Sequence, residues 1–254
     1  MTVEPRLYLD APLNPGARLD LEKDQAHYLV NVMRRGAGDA VRVFNGRDGE
    51  WRAEISDATR KRAALTLLEQ TRAQTAAPDL HLYFSPVKKA RTDFIVEKAT
   101  ELGAAAITPV MTRRTMADRV RMDRMEALVR EAAEQTERLD LPRVGEPVSL
   151  VQLLKGWDET RKLIFCDEAG GEDDAPWGGE TGRAAPILEA LSGAQAGAWA
   201  ILIGPEGGFD PAERNLLRGQ RFVVPVTLGP RILRADTAVA AAMSVWQAVL
   251  GDWG

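Results

Sequence analysis

Two punctuated junctions in the last third of the chain hold the residue types best suited to chemistry. The first reads Ile201-Leu202-Ile203, then Gly204-Pro205-Glu206-Gly207-Gly208-Phe209, then Asp210-Pro211-Ala212-Glu213. An apolar strand runs into a glycine loop and out into a helix. Asp210 can cap that helix, Pro211 suits its first position and Glu213 completes a capping box. The loop thus sits at the C-terminal end of a strand, where α/β sheets hold ligands. Glycines let backbone approach a ligand closely and leave N–H groups free to point at it. The Gly-Lys-Ser/Thr ending of a Walker loop is missing, and so is GxGxxG. Residue types alone leave a ligand loop and a plain turn both open.

The second junction reads Val226-Thr227-Leu228-Gly229, then Pro230-Arg231-Ile232-Leu233-Arg234-Ala235, then Asp236-Thr237. Asp236 or Thr237 can cap the helix that follows. Leu228, Ile232 and Leu233 beside backbone amides suit a flat heterocycle such as adenine. Arg231 and Arg234 can reach an anion or a carbonyl oxygen. The alternative is a hydrophobic loop under a helix with solvated arginines. The helix opens on Thr237-Ala238-Val239-Ala240-Ala241-Ala242, an alanine face that allows close helix approach within the fold or across a dimer. Helix propensity alone explains it equally well.

The elements that must position these loops fall into two groups. Residues 1–72 read mostly as strands. Val41–Phe44 and Trp51–Ile55 flank the turn residues Asn45-Gly46-Arg47-Asp48-Gly49 as a hairpin, and Ala64–Leu68 adds a strand. Asp24 is placed to cap a helix over His27 to Arg35. This predicts a small β-barrel. Residues 73–79 close a small, polar stretch ending in Pro-Asp and read as a linker. From residue 80 to 254, strands alternate with helices: strands at Leu80–Ser85, Ala105–Val110, Lys162–Cys166, Ala198–Ile203 and Phe222–Leu228, helices at Ala90–Leu102, Asp123–Leu139, from Pro211 and from Thr237. In the first of these helices Phe94, Ile95, Ala99 and Leu102 should face inward. The pattern predicts an α/β domain with a mainly parallel sheet. Residues 169–183 are Gly-rich and acidic and read as a mobile surface loop.

Composition bounds the rest. With 254 residues, 45% hydrophobic and 28% charged, the chain is an ordinary globular one. Its single cysteine, Cys166, cannot form an intrachain disulfide, and a reducing, cytoplasmic setting is expected. No apolar run is long enough for a membrane span, and the first residues lack the basic and apolar regions of a signal peptide. The net charge of -4 conceals polarity along the chain. Pro86 to Arg124 carries nine Lys/Arg against five Asp/Glu, whereas Glu126 to Ala190 carries seven against fifteen. A basic middle can face an anionic partner, or can be an ordinary solvated face.

The strings HYLVNVMRRGAGD (27–39), KKARTDFIVEKATELGAAAITPVMTRRT (88–115), EAAEQTERLDLPRV (131–144), ILIGPEGGFDPAER (201–214) and VTLGPRILRADTAVAAA (226–242) closely resemble the ribosomal RNA small subunit methyltransferase E family. Its members methylate N3 of one uridine in 16S rRNA. The resemblance runs over nearly the whole chain in matching order. It implies an N-terminal PUA-like barrel for RNA docking and a C-terminal SPOUT-type α/β domain with a deep trefoil knot. It also implies a homodimer on the small ribosomal subunit and no metal. General connection rules disfavour knots, so the knot rests on the resemblance alone. The implied cofactor is S-adenosylmethionine, bent against Phe165 and Cys166, against Gly204, Pro205, Glu206, Gly207 and Gly208, and against Leu228, Gly229, Ile232 and Leu233, with Thr237 nearby.

Such a reaction needs in-line placement of a methyl group and loss of a weakly acidic uracil proton. The sequence offers no clean base. His27 lies in the first domain, and His81, inside an apolar strand, reads as a packed histidine. Glu206 lies in the right loop but can equally fix that loop. Arg234 is the favoured catalytic residue, stabilising a uracil oxygen. The RNA-facing set is Lys88, Arg91 and Lys98 on one helix, Arg113 and Arg114 at a strand end, Gln135 and Arg138 one turn beyond Glu131, and Arg34 and Arg35 in the barrel. Two other readings remain: ribose 2′-O-methylation by a related SPOUT enzyme, and a non-catalytic RNA-binding assembly factor.

Overall fold

The structure, a computed structural model, describes residues 4–116, 119–168 and 184–254. The acidic loop expected at 169–183 lies outside the described residues. The chain forms two compact units, Met1–Ala76 with Ala133–Leu141, and Ala77–Ala132 with Pro142–Gly254.

The first unit is a curled five-stranded sheet of β1 (Arg6–Tyr8), β2 (Arg18–Asp20), β3 (Ala40–Phe44), β4 (Glu50–Ala58) and β5 (Ala63–Arg72), in the order β1-β3-β4-β5-β2. The β3–β4 hairpin pairs Phe44 with Glu50. Its turn is organised by Asn45, whose Oδ1 accepts from the amides of Arg47 and Asp48 at 2.9 and 2.8 Å. Alternate residues Val41, Val43, Ala53, Ile55, Leu65 and Leu67 fill the core with Leu29. Strand β5 runs four residues past the expected Leu68, because it pairs along all of β4 through three register shifts.

The expected helix over His27 to Arg35 is displaced. Helix α1 covers Lys23–His27 and passes into a π-helical turn at Tyr28–Val32. Glu22 is the cap, its amide donating to Gln25 Oε1 at 3.1 Å, and Asp24 lies inside the first turn. The helical segment ends at Val32, three residues short of the expected Arg35, and Arg34 just beyond its cap adopts φ 55°, which a right-handed helix cannot continue through.

The second unit is a parallel sheet of β6 (Leu80–Phe84), β7 (Ala106–Met111), β8 (Arg143–Val144), β9 (Val148–Ser149), β10 (Lys162–Cys166), β11 (Ala185–Pro186), β12 (Trp199–Ile203) and β13 (Val223–Thr227). The order is β11-β13-β10-β12-β6-β7-β8, with β9 also on β7. Strand β12 is buried at every position, as a central parallel strand must be. The helices are α2 (Lys89–Glu101), α3 (Met122–Gln135, whose last residues belong to the first unit), α4 (Leu150–Lys155), α5 (Ile187–Leu191), α6 (Pro211–Arg218) and α7 (Ala235–Leu250).

Helix α2 buries Ile95, Val96, Ala99 and Thr100, a stripe that repeats every three to four residues. Phe94 falls off that stripe and is 39% exposed, and its ring is covered by the Lys98 ammonium at 5.5 Å. Leu102 is half-buried rather than core. Helix α7 starts two residues before the expected Thr237. Its cap position is Arg234, without a side-chain cap bond, and Asp236 sits in the first turn.

His81, on the half-buried face of β6, lies 3.3 Å from Asp79 and is pushed down to about 4. Burial is the main cause, with Arg161 and Arg143 adding to it and Asp79 opposing. The folded state therefore resists a proton that the unfolded chain accepts near 6.5. Stability from this site is full above that pH and lost as pH falls from about 6.5 towards 4, by on the order of 3 kcal/mol. His81→Gln should flatten urea midpoints across that window, and an unchanged slope would show that other groups cause the acid sensitivity.

Candidate active site

The C-terminal ends of β10, β12 and β13 open on a cavity of about 720 Å³, built wholly from the second unit. That volume suits a small-molecule ligand, for which sites of about 300–1,000 Å³ are usual. Strand β10 delivers Cys166, Asp167 and Glu168, strand β12 leads into Gly204–Phe209, and strand β13 leads into Leu228–Ala235. The two junctions thus share one cleft.

Helix α6 fixes the first loop. Asp210 Oδ1 accepts from the Ala212 amide at 3.0 Å, and Glu213 Oε2 accepts from the Asp210 amide at 3.2 Å. Arg113, outside the cavity lining, supports the same turn. Its amide donates to Glu213 and its guanidinium to Asp210, both at 2.9 Å. The loops need glycine where Gly208 has φ +66° and Gly229 φ +114°, conformations that a side chain strains.

The apolar part of the lining includes Ile203, Val226, Leu228, Ile232, Leu233, Ala235 and Ala238. Ile232, 83% exposed, is the most open of these apolar side chains. The lining is also charged, with Arg91, Arg114, Arg231 and Arg234 against Glu168 and Glu206, and with Asp167 buried below them. Arg91 pairs with Glu206, and Arg114 donates to the Gly207 carbonyl at 3.0 Å. The side chains of Arg231 and Arg234 have no hydrogen bond or ion pair with any described residue, although the Arg234 carbonyl accepts from the Ala238 amide at 2.8 Å. Burial pushes the Cys166 thiol well up from its ordinary value, and the neighbouring Glu168 and Asp167 charges add to it. An amphiphilic ligand with a flat apolar part and a charged part fits such a cleft.

The structure places the expected residues as follows. Cys166, Gly204, Pro205, Glu206, Gly207, Gly208, Leu228, Gly229, Ile232, Leu233 and Arg234 line the cavity. Phe165 lies beneath it, fully buried and edge-on to Phe209 at 5.0 Å. Thr237 is exposed and off the lining. Of the RNA-facing set, Arg91 and Arg114 reach the cavity. Lys88 is exposed at the start of α2, and Lys98 pairs with Glu101 at 2.7 Å. Gln135 and Glu131 are exposed on α3, whereas Arg138 is only 9% exposed and pairs with Asp140 at 2.7 Å. Arg34 is exposed and Arg35 half-buried.

Sequence reasoning missed Asp167, Glu168 and Arg214. Asp167 is 3% exposed and accepts from Arg214 and Arg218 at 2.8 and 2.7 Å. The available signal was two acids directly after the apolar run Leu163–Cys166. Glu168 has its carboxyl pushed up by burial and by the Asp167 charge.

A model described as an RNA methyltransferase domain matches residues 73–247, and one described as an RNA methyltransferase PUA domain matches residues 21–68. The ribosomal RNA small subunit methyltransferase E of Rickettsia conorii is 30% identical over 94% of this chain and 93% of its own length. That of Synechocystis is 34% identical over 92% and 74%. The crystal structure of the Neisseria gonorrhoeae ribosomal RNA small subunit methyltransferase E bound to S-adenosyl methionine has a TM-score of 0.81, 27% identity, and covers 99% of this chain and 100% of that one. The fold is thus that of an RNA methyltransferase, a SPOUT-type α/β unit with a PUA-like unit before it. Within that class, the chain belongs to the ribosomal RNA small subunit methyltransferase E family.

Proposed function

We propose that this protein transfers a methyl group from S-adenosylmethionine to N3 of a uridine in 16S rRNA. The observation that carries the reading is the cleft that Gly204–Gly208 and Leu228–Leu233 both line, together with apolar side chains and several arginines. When bound, S-adenosylmethionine supplies a methyl group activated by sulfonium. Leu228, Ile232 and Leu233 would hold the adenine, and the glycine loop would hold the rest. Arg234 would take the charge that builds on the uracil oxygen as the N3 proton leaves. In this reading the enzyme acts in the cytoplasm on the small ribosomal subunit, as a homodimer with a knotted second domain. The stripe Thr237, Ala240, Ala241, Ser244, Val245 and Ala248 on α7, none of it fully buried, supports the dimer. Mass spectrometry of 16S rRNA from a deletion strain tests the reaction. One uridine should lose its base methyl, and loss from a ribose oxygen would replace the reading.

The domain reading, with barrel 1–72, linker 73–79 and catalytic domain 80–254, assigns RNA docking to the first unit. Its support is a basic edge. Arg34, Arg60, Lys61 and Arg62 are all exposed, and Asn31 ties the π-helical turn to the tip of the β4–β5 hairpin by donating to the Arg60 carbonyl at 3.2 Å. Lys61→Ala should weaken rRNA binding and reduce the slope of log affinity against log salt by about 1. An unaltered slope would move the docking surface elsewhere.

A further inference from the structure

We propose that Glu206 makes the cavity prefer the charged sulfonium cofactor over its neutral thioether product, and that Arg91 masks Glu206 until an RNA phosphate draws the guanidinium away. The inference rests on the methyl-transfer reading. In that reaction the sulfur–methyl bond breaks with its electron pair left on sulfur, the nitrogen–methyl bond forms, and the N3 proton goes to solvent. Sulfur therefore loses its positive charge at each turnover. A carboxylate facing the cavity favours the charged form, and a cation beside that carboxylate cancels the preference.

The ion pair is suited to exchange. Arg91 and Glu206 both line the cavity, and their side chains are 29% and 40% exposed. A pair this exposed contributes little, and a guanidinium holds a phosphate at least as well through paired hydrogen bonds. The loop would survive the exchange. Arg114 holds it separately through the Gly207 carbonyl, and the Asp210–Glu213 capping box holds its far end. Asp167 cannot play the same part, because its charge is committed to Arg214 and Arg218 inside the fold. Glu168 is the rival. It lines the cavity and has no hydrogen bond or ion pair with any described residue.

Calorimetry on the full chain with S-adenosylmethionine and S-adenosylhomocysteine tests the assignment. Arg91→Ala should raise the preference for the sulfonium ligand about three- to fivefold, with homocysteine-ligand affinity unchanged. Glu206→Gln should lower that preference, and adding Arg91→Ala to it should restore nothing. Polyuridylate should shift the wild type towards the Arg91→Ala preference and leave Arg91→Ala itself unmoved. An unchanged or lower preference in Arg91→Ala overturns the proposal, as does a loss confined to Glu168→Gln. No shift of the wild type with polyuridylate removes the masking by RNA. Falling affinity for both ligands in Arg91→Ala would show a structural prop instead. A wild type that binds neither ligand would end the methyl-transfer reading itself.

Discussion

Arg234→Ala is expected to lower methyl transfer roughly 10²–10³-fold while leaving S-adenosylmethionine affinity within about twofold. The residue lines the cavity, is exposed, and occupies the cap position of α7 without a side-chain cap bond. Its removal therefore costs the fold little. Its guanidinium pairs with no described residue, in contrast to Arg91 and Arg114, whose groups are already engaged with the glycine loop. A cation at the N-terminus of a sixteen-residue helix also adds to a positive dipole end. Both favour the deprotonated uracil that must form before or during attack. Arg234→Lys keeps the charge but not the planar fork, so partial recovery is expected. Single-turnover transfer of labelled methyl to 16S rRNA gives the rate, and calorimetry gives the affinity. Retained turnover would eliminate the role, and a parallel loss of cofactor affinity would make Arg234 a ligand of the cofactor instead.

The parts of this molecule legible in its sequence are those set by strong local rules. Lys162–Cys166 is apolar in its interior and bounded by charge, and its ends fall where expected. The β3–β4 turn was readable from Asn45 to Gly49, because those residues satisfy a turn by themselves. Pro211 with Asp210 and Glu213 announced the start of α6. What could not be read depends on partners distant in sequence. Strands β8, β9 and β11 are two residues each and exist only because neighbouring strands offer free edges. The burial stripe of α2 passes through Val96 and Thr100 rather than Phe94, and periodicity alone admits either. Arg91 and Glu206 are 115 positions apart, so no spacing announces their contact. The glycine junctions were recognisable as loops, but their convergence on one cleft follows from the order β13-β10-β12, which the chain does not state.

Glu50→Ala should destabilise the first unit by roughly 3–5 kcal/mol, the cost of stranding a buried cation. The Glu50 side chain is wholly inaccessible and accepts from Arg6 at 2.7 Å, from Arg42 at 3.0 Å and from the Thr71 hydroxyl at 2.9 Å. Arg6 is itself 8% exposed and also donates to the carbonyls of Ala133, Glu134 and Arg138. Without the carboxylate, that guanidinium keeps its charge but loses its counter-ion. The exposed pair Arg18–Asp57, at 3.9 Å with both side chains 60% exposed, should by contrast be nearly silent on substitution. Burial alone would push the Glu50 carboxyl up, but hydrogen bonds from Arg6, Thr71 and Arg42 outweigh it and hold the group below the ordinary glutamate value. Its stabilisation is thus present above the unfolded value and lost as pH falls through the lower folded one. Glu50→Gln, which keeps hydrogen bonding without charge, should fall between wild type and Glu50→Ala. Urea unfolding followed by circular dichroism measures each. Because the cavity belongs entirely to the second unit, S-adenosylmethionine should still bind Glu50→Ala. A midpoint unchanged by the substitution would mean that Arg6 finds solvent or another carboxylate, and that the buried cluster is not what holds β1 to β4.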